Sequence, residues 1–572
     1  MSETPGFAVR GVEIHTRQMW EWEHVRRVLD FAAETGLNAL VFHENDLIDQ
    51  VTCPESHLPR EMMKRTFPVY AWSIENNRDY LRRVAASARE RGVDFYLEVK
   101  ELWYRLYLIE THLELMRDGA ICPNNPFWWG FLRAKIGVLF SSIPEIAGII
   151  VSTASKESRL SLRNTRCACE LCRSTPAEAW HRKVIDTMHE AVKSAGRRLV
   201  VRDFVWSPKD LDEVVSAAGS APEDVVISLK NTPHDYYPHF PHNPRIGNVG
   251  NHEQWIEYDV WGQFYGWGVF PCILLDDIKK RIDYALEKGA TGFVARTDWE
   301  SIPEGSAIES INKLNLYGAA MLSRDPETDF GEIYRAWLTH PVTTAFSPDG
   351  VPPGNGVEGD GKGADIDKLR SILGRTWPVM EHGIYMGGCV FHEDSMFPIG
   401  LDDAWWIMEE NHSLADWDPT KRGVLDMKPG NVRGLIAEKE EALALVRRLC
   451  AEIEEDGNRM GLTPRFYADL VTTFRMYVRY VEGFYHNAKA AVLTKYALAA
   501  GTEEARAEAA AAVRELAEFA WRLRSAVSRT ELPHCAYMLL DPDRLEAMAA
   551  DLAGKVAGPG EDFTAETQGG IA

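Results

Sequence analysis

Eight short apolar segments, separated by helical patterns, recur through the first 300 residues of this sequence. Short apolar runs bounded by turn residues predict β-strands, and apolar residues at 3.6-residue spacing predict the helices between them. Strands that alternate with helices predict an α/β fold with a parallel sheet and right-handed crossovers. Eight such units over about 320 residues predict a (β/α)8 TIM barrel. The predicted strands lie at 7–15, 38–43, 93–99, 147–151, 198–205, 224–229, 254–260 and 292–295.

The pattern changes after the eighth unit, which predicts further segments beyond the barrel. We assign residues 1–340 to the barrel and residues 341–364 to a loop, because that stretch is rich in Gly, Pro and Asp and nearly free of apolar residues. Long helical patterns over residues 365–553 predict a C-terminal α-helical domain, and residues 554–572 predict a flexible polar tail. The C-terminal helices are also the expected face of a homodimer.

The net charge and the cysteine content of the chain indicate which partners and which compartment to expect. The formal net charge is -22, which opposes binding to nucleic acid or to an anionic membrane surface. The chain contains neither a secretory signal pattern nor an apolar stretch of 18 residues. Nine scattered cysteines, an odd number, fit reduced thiols. We therefore expect a cytoplasmic protein with no nucleic-acid or membrane partner.

Carboxylates near the predicted strand ends are the candidate catalytic groups. Loops that follow the strands of such a barrel form its functional face, and hydrolysis of a glycoside requires one carboxylic acid and a second carboxylate. Asp298, Glu300 and Glu304 follow the eighth strand, and Glu157 lies in the loop after the fourth. For each of them, a structural ion pair with a neighbouring cation is the alternative interpretation.

Cations and aromatic residues at the same face predict recognition of an acidic sugar. Lysine and the arginine fork recognise carboxylates such as that of a uronic acid, although balance of the neighbouring acidic charges explains them equally well. An indole offers a flat apolar face to a sugar ring. The candidate substrate-binding residues are Lys100, Arg202, Lys230, Arg296, Trp299, Asn231, His43, Glu44, Asp235 and Glu257.

A CxCxxC sequence in the loop after the fourth strand has the spacing of a metal site. Cys167, Cys169 and Cys172 supply three thiols, and a fourth ligand would have to come from elsewhere, such as Cys122 or a histidine. Reduced cysteines that pack or shape the loop are the alternative, so no metal site is assigned. Histidines cluster in residues 232–252, but no HxH pair ends the first strand, which favours contacts with sugar hydroxyls over a catalytic metal.

Several short segments after the sixth strand match one known family in order. The sequence reads KNTPHDY at 230–236, EYDVWGQ at 257–263, GFVARTDW at 292–299 and NLYG at 315–318, followed by DP at 325–326, EI at 332–333 and Trp337. These segments resemble the KNGPxDF, EYxGQ, GVxNxGxDxNW and NLYxFGR motifs, and the pattern that follows them, in the α-glucuronidases of glycoside hydrolase family 67. The resemblance covers about a fifth of the chain.

The resemblance implies an exo-acting, inverting, intracellular hydrolase that removes a terminal uronic acid from an oligosaccharide and needs no cofactor. Asp298 matches the family's catalytic aspartate, so it is expected to act as base or to orient water, with Glu300 and Glu304 as alternatives. The family's additional N-terminal domain is absent from this sequence, and its general-acid position matches Phe240. We therefore expect Glu157 to replace that acid.

Three other interpretations stay open. A β-N-acetylhexosaminidase or another exo-glycosidase is possible within the class, but the adjacent Asp-Glu pair usual after the fourth strand is missing, since the sequence there is Ser155-Lys156-Glu157. A metal-dependent barrel hydrolase or isomerase is an alternative from another class. A non-catalytic carbohydrate-binding protein is the third, which the phenylalanine at the acid position supports.

Overall fold

The computed structural model describes residues 6–153, 157–347 and 354–557. Its centre is a closed barrel of eight parallel strands, which confirms the predicted (β/α)8 fold. Each strand pairs with its neighbours in chain order, and the eighth pairs with the first to close the barrel. The strands are β1 Val9–Ile14, β2 Ala39–His43, β3 Asp94–Glu101, β4 Ile146–Thr153, β5 Arg198–Arg202, β6 Val226–Lys230, β7 Gln254–Asp259 and β8 Gly292–Arg296.

Helices surround the barrel and bury one apolar face each. In the helix Trp22–Thr35, for example, Val25, Val28 and Leu29 are buried, and Gly36 ends the helix in the left-handed conformation at φ 80°. The helices of the barrel region are α1 Trp22–Thr35, α2 Leu47–Val51, α3 Arg60–Thr66, α4 Pro68–Glu90, α5 Leu106–Thr111, α6 Phe127–Ser142, α7 Glu170–Ser174, α8 Ala177–Ser194, α9 Pro208–Gly219, α10 Leu275–Glu287, α11 Lys313–Arg324 and α12 Phe330–Leu338.

The barrel interior changes from apolar to charged along the strands. Side chains two residues apart on a strand point to the same face, so the inward residues of each strand form successive layers. The lower layer is apolar and includes Val41, Tyr96, Val200 and Trp255. Two positions further along the same strands, the inward residues are His43, Glu98, Arg202 and Glu257. The charged layer lies at the carboxyl end of the barrel and is the base on which the candidate site is built.

Nine further α-helices follow the barrel in the described residues. They are α13 Ile366–Leu373, α14 Thr376–Ile384, α15 Leu401–Trp406, α16 Leu414–Trp417, α17 Pro429–Asp456, α18 Pro464–Ala500, α19 Glu503–Val527, α20 His534–Leu539 and α21 Pro542–Val556, among the residues that the structure describes. The connection between α14 and α15 reaches back to the barrel: the Tyr385 hydroxyl donates to the Phe264 carbonyl, and Ser395 Oγ donates to the Gln263 carbonyl at 2.9 Å. In the described part of the chain, no helix combines the length and apolar character needed to cross a membrane.

Some predicted segments differ from the structure or lie outside it. The apolar helical pattern in the sequence over residues 77–91 predicts a helix there, and the structure begins this helix, α4, nine residues earlier at Pro68. Residues 348–353 of the predicted loop and 558–572 of the predicted tail are outside the described residues, as are Ser155 and Lys156.

Candidate active site

A polar pocket of about 270 Å³ opens at the carboxyl ends of the barrel strands. Nine of the candidates named from the sequence contribute to its lining: Glu157, Glu300, Lys100, Arg202, Lys230, Arg296, Trp299, His43 and Asp235. The strand ends bring these side chains together although they lie far apart in the sequence, as expected for a parallel barrel. The other lining residues are His15, Phe204, Trp206, Tyr236, Gln263, Ser301, Glu393 and Asp394.

Two stacked histidines form part of the pocket floor. The rings of His15 and His43 are parallel within 10°, with centroids 3.7 Å apart. His43 Nδ1 lies 2.8 Å from Glu13 Oε1, and Nε2 lies 3.2 Å from Glu98 Oε1. Burial, together with the surrounding cations, holds the pKa of both histidines well below the ordinary value. The pKa of Glu98 is raised well above its ordinary value, mainly by burial. Burial therefore disfavours the charged forms of both imidazoles and of the Glu98 carboxyl in the floor.

Arg202 makes its contacts with other residues of the pocket floor. Its Nε lies 2.9 Å from Glu98 Oε1, and its Nη2 donates to Glu257 Oε2 at 2.6 Å. The Tyr236 hydroxyl accepts a hydrogen bond from Arg202 and donates one to Glu257, both at 2.9 Å. Ser228 also donates to Glu257, at 2.8 Å. Arg202 Nη1 donates to Ser152 Oγ at 3.3 Å. Because all three nitrogens of the guanidinium have partners, Arg202 and Glu257 hold the floor together and leave substrate contacts to the other cations.

Two lysines meet on one aromatic ring of the wall. The ammonium groups of Lys100 and Lys230 each lie 4.5 Å from the ring centroid of Phe204. Lys100 contacts Glu157, and Lys230 contacts Asp235. The pKa of Lys100 is lowered to about 8, mainly by burial, with Arg202 and Lys230 contributing and Glu300 opposing. Two cations that share a small volume in this way form a candidate subsite for an anionic group.

Arg296 and Glu300 form another part of the pocket lining. Arg296 Nη1 donates to Gln263 Oε1 at 2.6 Å, and its Nη2 lies 3.5 Å from Glu300 Oε2. The same carboxylate oxygen lies 3.3 Å from His15 Nδ1. The Glu300 side chain remains 43% exposed, so a ligand in the pocket can contact it. Trp299 precedes it and packs against Trp267, at 5.9 Å between ring centroids.

Asp298 and Glu304 do not line the pocket. Asp298 is fully buried, and its carboxylate accepts hydrogen bonds from the His15 N–H at 2.6 Å and from the Thr16 N–H and hydroxyl at 3.2 and 2.8 Å. Burial raises the pKa of Asp298 to about 6, and these hydrogen bonds oppose the shift. Asp298 thus joins the loops after β8 and β1 and positions His15. Glu304 is an exposed residue beyond the pocket.

Three of the other named residues also lie outside the lining. Asn231 is buried, and its N–H donates to the Glu257 carbonyl at 2.9 Å. Glu44 accepts a hydrogen bond from Trp20 Nε1 at 3.3 Å. Phe240, at the position expected for the acid of the resembled family, is buried against Tyr237 with ring centroids 5.2 Å apart. The position that corresponds to that acid therefore belongs to the aromatic core.

The pocket wall that sequence analysis missed comes from beyond the barrel. Glu393 and Asp394 lie in the connection between α14 and α15. Gln263 Nε2 donates to Asp394 Oδ1 at 3.3 Å, and the Tyr480 hydroxyl in α18 donates to the Ser395 carbonyl at 2.5 Å. Burial raises the pKa of Asp394 to about 7, and Glu393 adds to this shift. No strand end or helical pattern marks this segment, so nothing in the sequence connects it to the pocket.

Comparison with known proteins identifies the fold but no family. No family model matches the chain, and no curated protein matches it. The structure is similar to that of a GH138 enzyme targeting pectin rhamnogalacturonan II, with a TM-score of 0.62 and 12% identity over 97% of this chain and 67% of that one. An O-GlcNAc hydrolase mutant of Thermobaculum terrenum matches at a TM-score of 0.41 and 13% identity, over 98% of this chain and 97% of that one. The first similarity extends over the barrel and the helices that follow it.

Proposed function

We propose that this protein is a glycoside hydrolase that removes a terminal uronic acid from an oligosaccharide. The observation that carries the proposal is the pocket itself, in which several carboxyl groups, strand-end cations and an indole face surround one small volume. Hydrolysis of a glycosidic bond requires a carboxylic acid that protonates the leaving oxygen and a carboxylate that attacks or activates water. The pocket offers both kinds of group.

The size of the pocket supports exo-action on one sugar. At about 270 Å³ it lies below the ~300–1,000 Å³ that is typical of clefts for larger ligands. Glu393 and Asp394 close one side, and the charged layer of the barrel closes the bottom. Such a pocket accommodates a single ring at the end of a chain, with the rest of the oligosaccharide outside.

The surroundings of the lining carboxyls suggest a division of roles. Asp394, whose pKa is raised to about 7, retains its proton for part of the time at neutral pH and is the candidate general acid. Glu300 lies beside Arg296 and reaches the pocket, which suits a base or nucleophile. Glu157, expected from the sequence as the acid, contacts Lys100 instead and is the alternative carboxylate. Asp298 supports the site by positioning His15.

The two lysines on Phe204 support an acidic substrate. Burial and neighbouring cations already lower the pKa of Lys100, so a carboxylate of the ligand placed between Lys100 and Lys230 would stabilise both charges. Glu157 and Asp235 contact the same lysines and would share them with the ligand. One structural neighbour is described as targeting pectin rhamnogalacturonan II. Fragments of that polysaccharide should therefore be included among the test substrates.

Turnover on a panel of substrates tests the proposed function. We expect the full chain to release a uronic acid from aryl uronides or from pectic and xylan-derived oligosaccharides, with neutral and N-acetyl aryl glycosides as comparison substrates. Release of only neutral or N-acetyl sugars would support a glycoside hydrolase but contradict a uronic acid as its substrate. Binding of sugars with no turnover of any panel member would contradict the hydrolase and favour a carbohydrate-binding protein.

We further expect the affinity for a uronide to fall as the pH rises through about 8. Lys100 attracts a carboxylate only while protonated, and its pKa in the free protein is about 8. Lys100→Met should remove this step and raise KM by about 10–100-fold, since a hydrogen bond to a charged group contributes ~1.5–3 kcal/mol. Steady-state kinetics across this pH range measure both effects.

Lys209→Met, at an exposed lysine of α9, is the control and should leave the pH profile of KM unchanged. A wild-type KM that stays constant above the pKa of Lys100 would contradict its role.

A further inference from the structure

We propose that Cys122, Cys167, Cys169 and Cys172 bind a structural zinc ion. The four sulfur atoms lie within 4.8 Å of one another, although Cys122 is 45 or more residues from the other three. Cys122 Sγ lies 3.6 Å from Cys172 Sγ and 3.9 Å from Cys169 Sγ. The fold therefore brings to the CxCxxC sequence the fourth thiol that sequence spacing alone left open.

The separations of the sulfurs match one tetrahedral ion. A Zn–S bond of ~2.3 Å in tetrahedral geometry places its sulfur ligands about 3.8 Å apart. The two measured separations lie on either side of that value. A disulfide would require ~2.05 Å. A four-iron cluster would place each thiolate on a different iron atom, and so further apart than around one ion. Four thiolates without other ligands form a closed site, which is typical of structural zinc.

Neighbouring donors are already oriented towards the sulfurs. The Cys172 N–H donates to Cys169 Sγ at 3.4 Å, and Asn124 Nδ2 donates to Cys172 Sγ at 3.5 Å. Asn124 is 5% exposed, so its amide is held in place by packing. Hydrogen bonds from amides to ligating sulfurs stabilise thiolate charge and fix the direction of the ligand, as expected of the shell around a metal. These contacts support a metal site over a chance cluster of thiols.

The ion would fasten two loops of the functional face to each other. Cys122 follows the small hairpin formed by Met116–Arg117 and Ala120–Ile121, which lies between β3 and β4. The other three cysteines belong to the loop after β4, which also carries Glu157. Direct contacts between the two loops include a hydrogen bond from Thr165 Oγ1 to the Ile121 carbonyl at 3.2 Å. A zinc ion there would restrict the loop that presents Glu157 to the pocket. The metal proposal itself does not depend on the reaction.

Metal analysis of the purified full chain tests the proposal. We expect one zinc per chain after expression with added Zn²⁺ and dialysis, and its release by a mercurial that modifies thiols. Cys169→Ser should lower the zinc content, whereas Cys450→Ser, at a cysteine in α17, should leave it unchanged. Absence of zinc together with rapid reaction of the four thiols in the native protein would overturn the proposal. Bound iron with visible absorption would also overturn it, in favour of an iron site.

A second measurement does not rely on a folded variant. Wild-type protein stripped of metal should bind Co²⁺ with the intense near-ultraviolet absorption of thiolate-to-cobalt charge transfer, and Zn²⁺ should displace it. Its thermal unfolding temperature should rise when Zn²⁺ is restored, because an ion that binds only the folded state stabilises it. Cobalt bound without thiolate absorption, or an unfolding temperature indifferent to Zn²⁺, would contradict a four-cysteine site. Neither result would bear on turnover, so the proposed function can fail separately.

Discussion

Replacement of Glu300 by Gln is expected to lower kcat by about 10²–10⁴-fold, the range that one acid–base group typically contributes. The substitution keeps the size of the side chain and removes the carboxylate that lies 3.5 Å from Arg296 Nη2 and 3.3 Å from His15 Nδ1. Because Glu300 is 43% exposed, its neutralisation should leave stability nearly unchanged. Steady-state kinetics on an aryl uronide, with thermal unfolding measured alongside, separate the two effects.

Glu304→Gln is the matched comparison for Glu300. Both residues follow β8 and both are exposed, but only Glu300 lines the pocket. We expect Glu304→Gln to retain wild-type kcat. Asp298→Asn should differ from both, since it disturbs a buried group that accepts hydrogen bonds from His15 and Thr16, and should lower thermal stability as well as activity. Wild-type kcat in Glu300→Gln would transfer the role of base to Glu157.

Replacement of Lys135 by Met is expected to destabilise the fold by about 3–5 kcal/mol, the usual cost of removing one partner from a buried ion pair. Lys135 in α6 is fully buried, and its Nζ lies 2.8 Å from both Asp49 Oδ2 and Glu101 Oε1 and 3.0 Å from the Trp103 carbonyl. Without the ammonium group, two carboxylates remain buried and unpaired. Chemical denaturation of both proteins measures the difference in free energy of unfolding.

The loss of folding stability in Lys135→Met should depend on pH in a definite direction. Burial raises the pKa of Asp49 to about 7 in the wild-type protein, against the opposing charge of Lys135, so without Lys135 its folded pKa should lie still further above that of the unfolded chain. Stability that is present at acid pH is then lost as the pH rises, and the deficit relative to wild type should be larger at neutral than at mildly acid pH. Lys193→Met is the control, because Lys193 is 63% exposed and pairs with Asp224 at the surface, where pairs contribute ~0–1 kcal/mol. A Lys135→Met protein as stable as this control would refute the argument.

The barrel could be predicted from the sequence because each of its strands is a short apolar run closed by turn residues. The prediction extended to the residues at strand ends, because a parallel barrel gathers them at one edge. Lys100, Arg202, Lys230 and Arg296, predicted as a cationic set, do line one pocket. Alternation along a strand also explains why Lys100 and Glu98 both face inward, whereas Glu101, one residue later, faces Lys135.

The roles of individual carboxylates could not be predicted in the same way. Asp298, Glu300 and Glu304 occupy one short loop, and only its backbone conformation decides that one is buried, one lines the pocket and one faces solvent. Glu393 and Asp394 were missed for another reason: their position depends on contacts with Gln263 and Tyr480 that join distant parts of the chain. Sequence spacing contains no information on such contacts.

Glu393 and Asp394 lie far beyond the barrel strands in the sequence, and this position determines when the pocket is complete during synthesis. Domains generally fold from the N-terminus as the chain emerges, at ~5–20 residues per second. The barrel strands end at Arg296, but Asp394 follows almost a hundred residues later and depends on α18 for its position. A nascent barrel would therefore spend several seconds or longer with one side of its pocket open. Release of the C-terminal helices from the ribosome, rather than closure of the barrel, would be the step that completes the pocket.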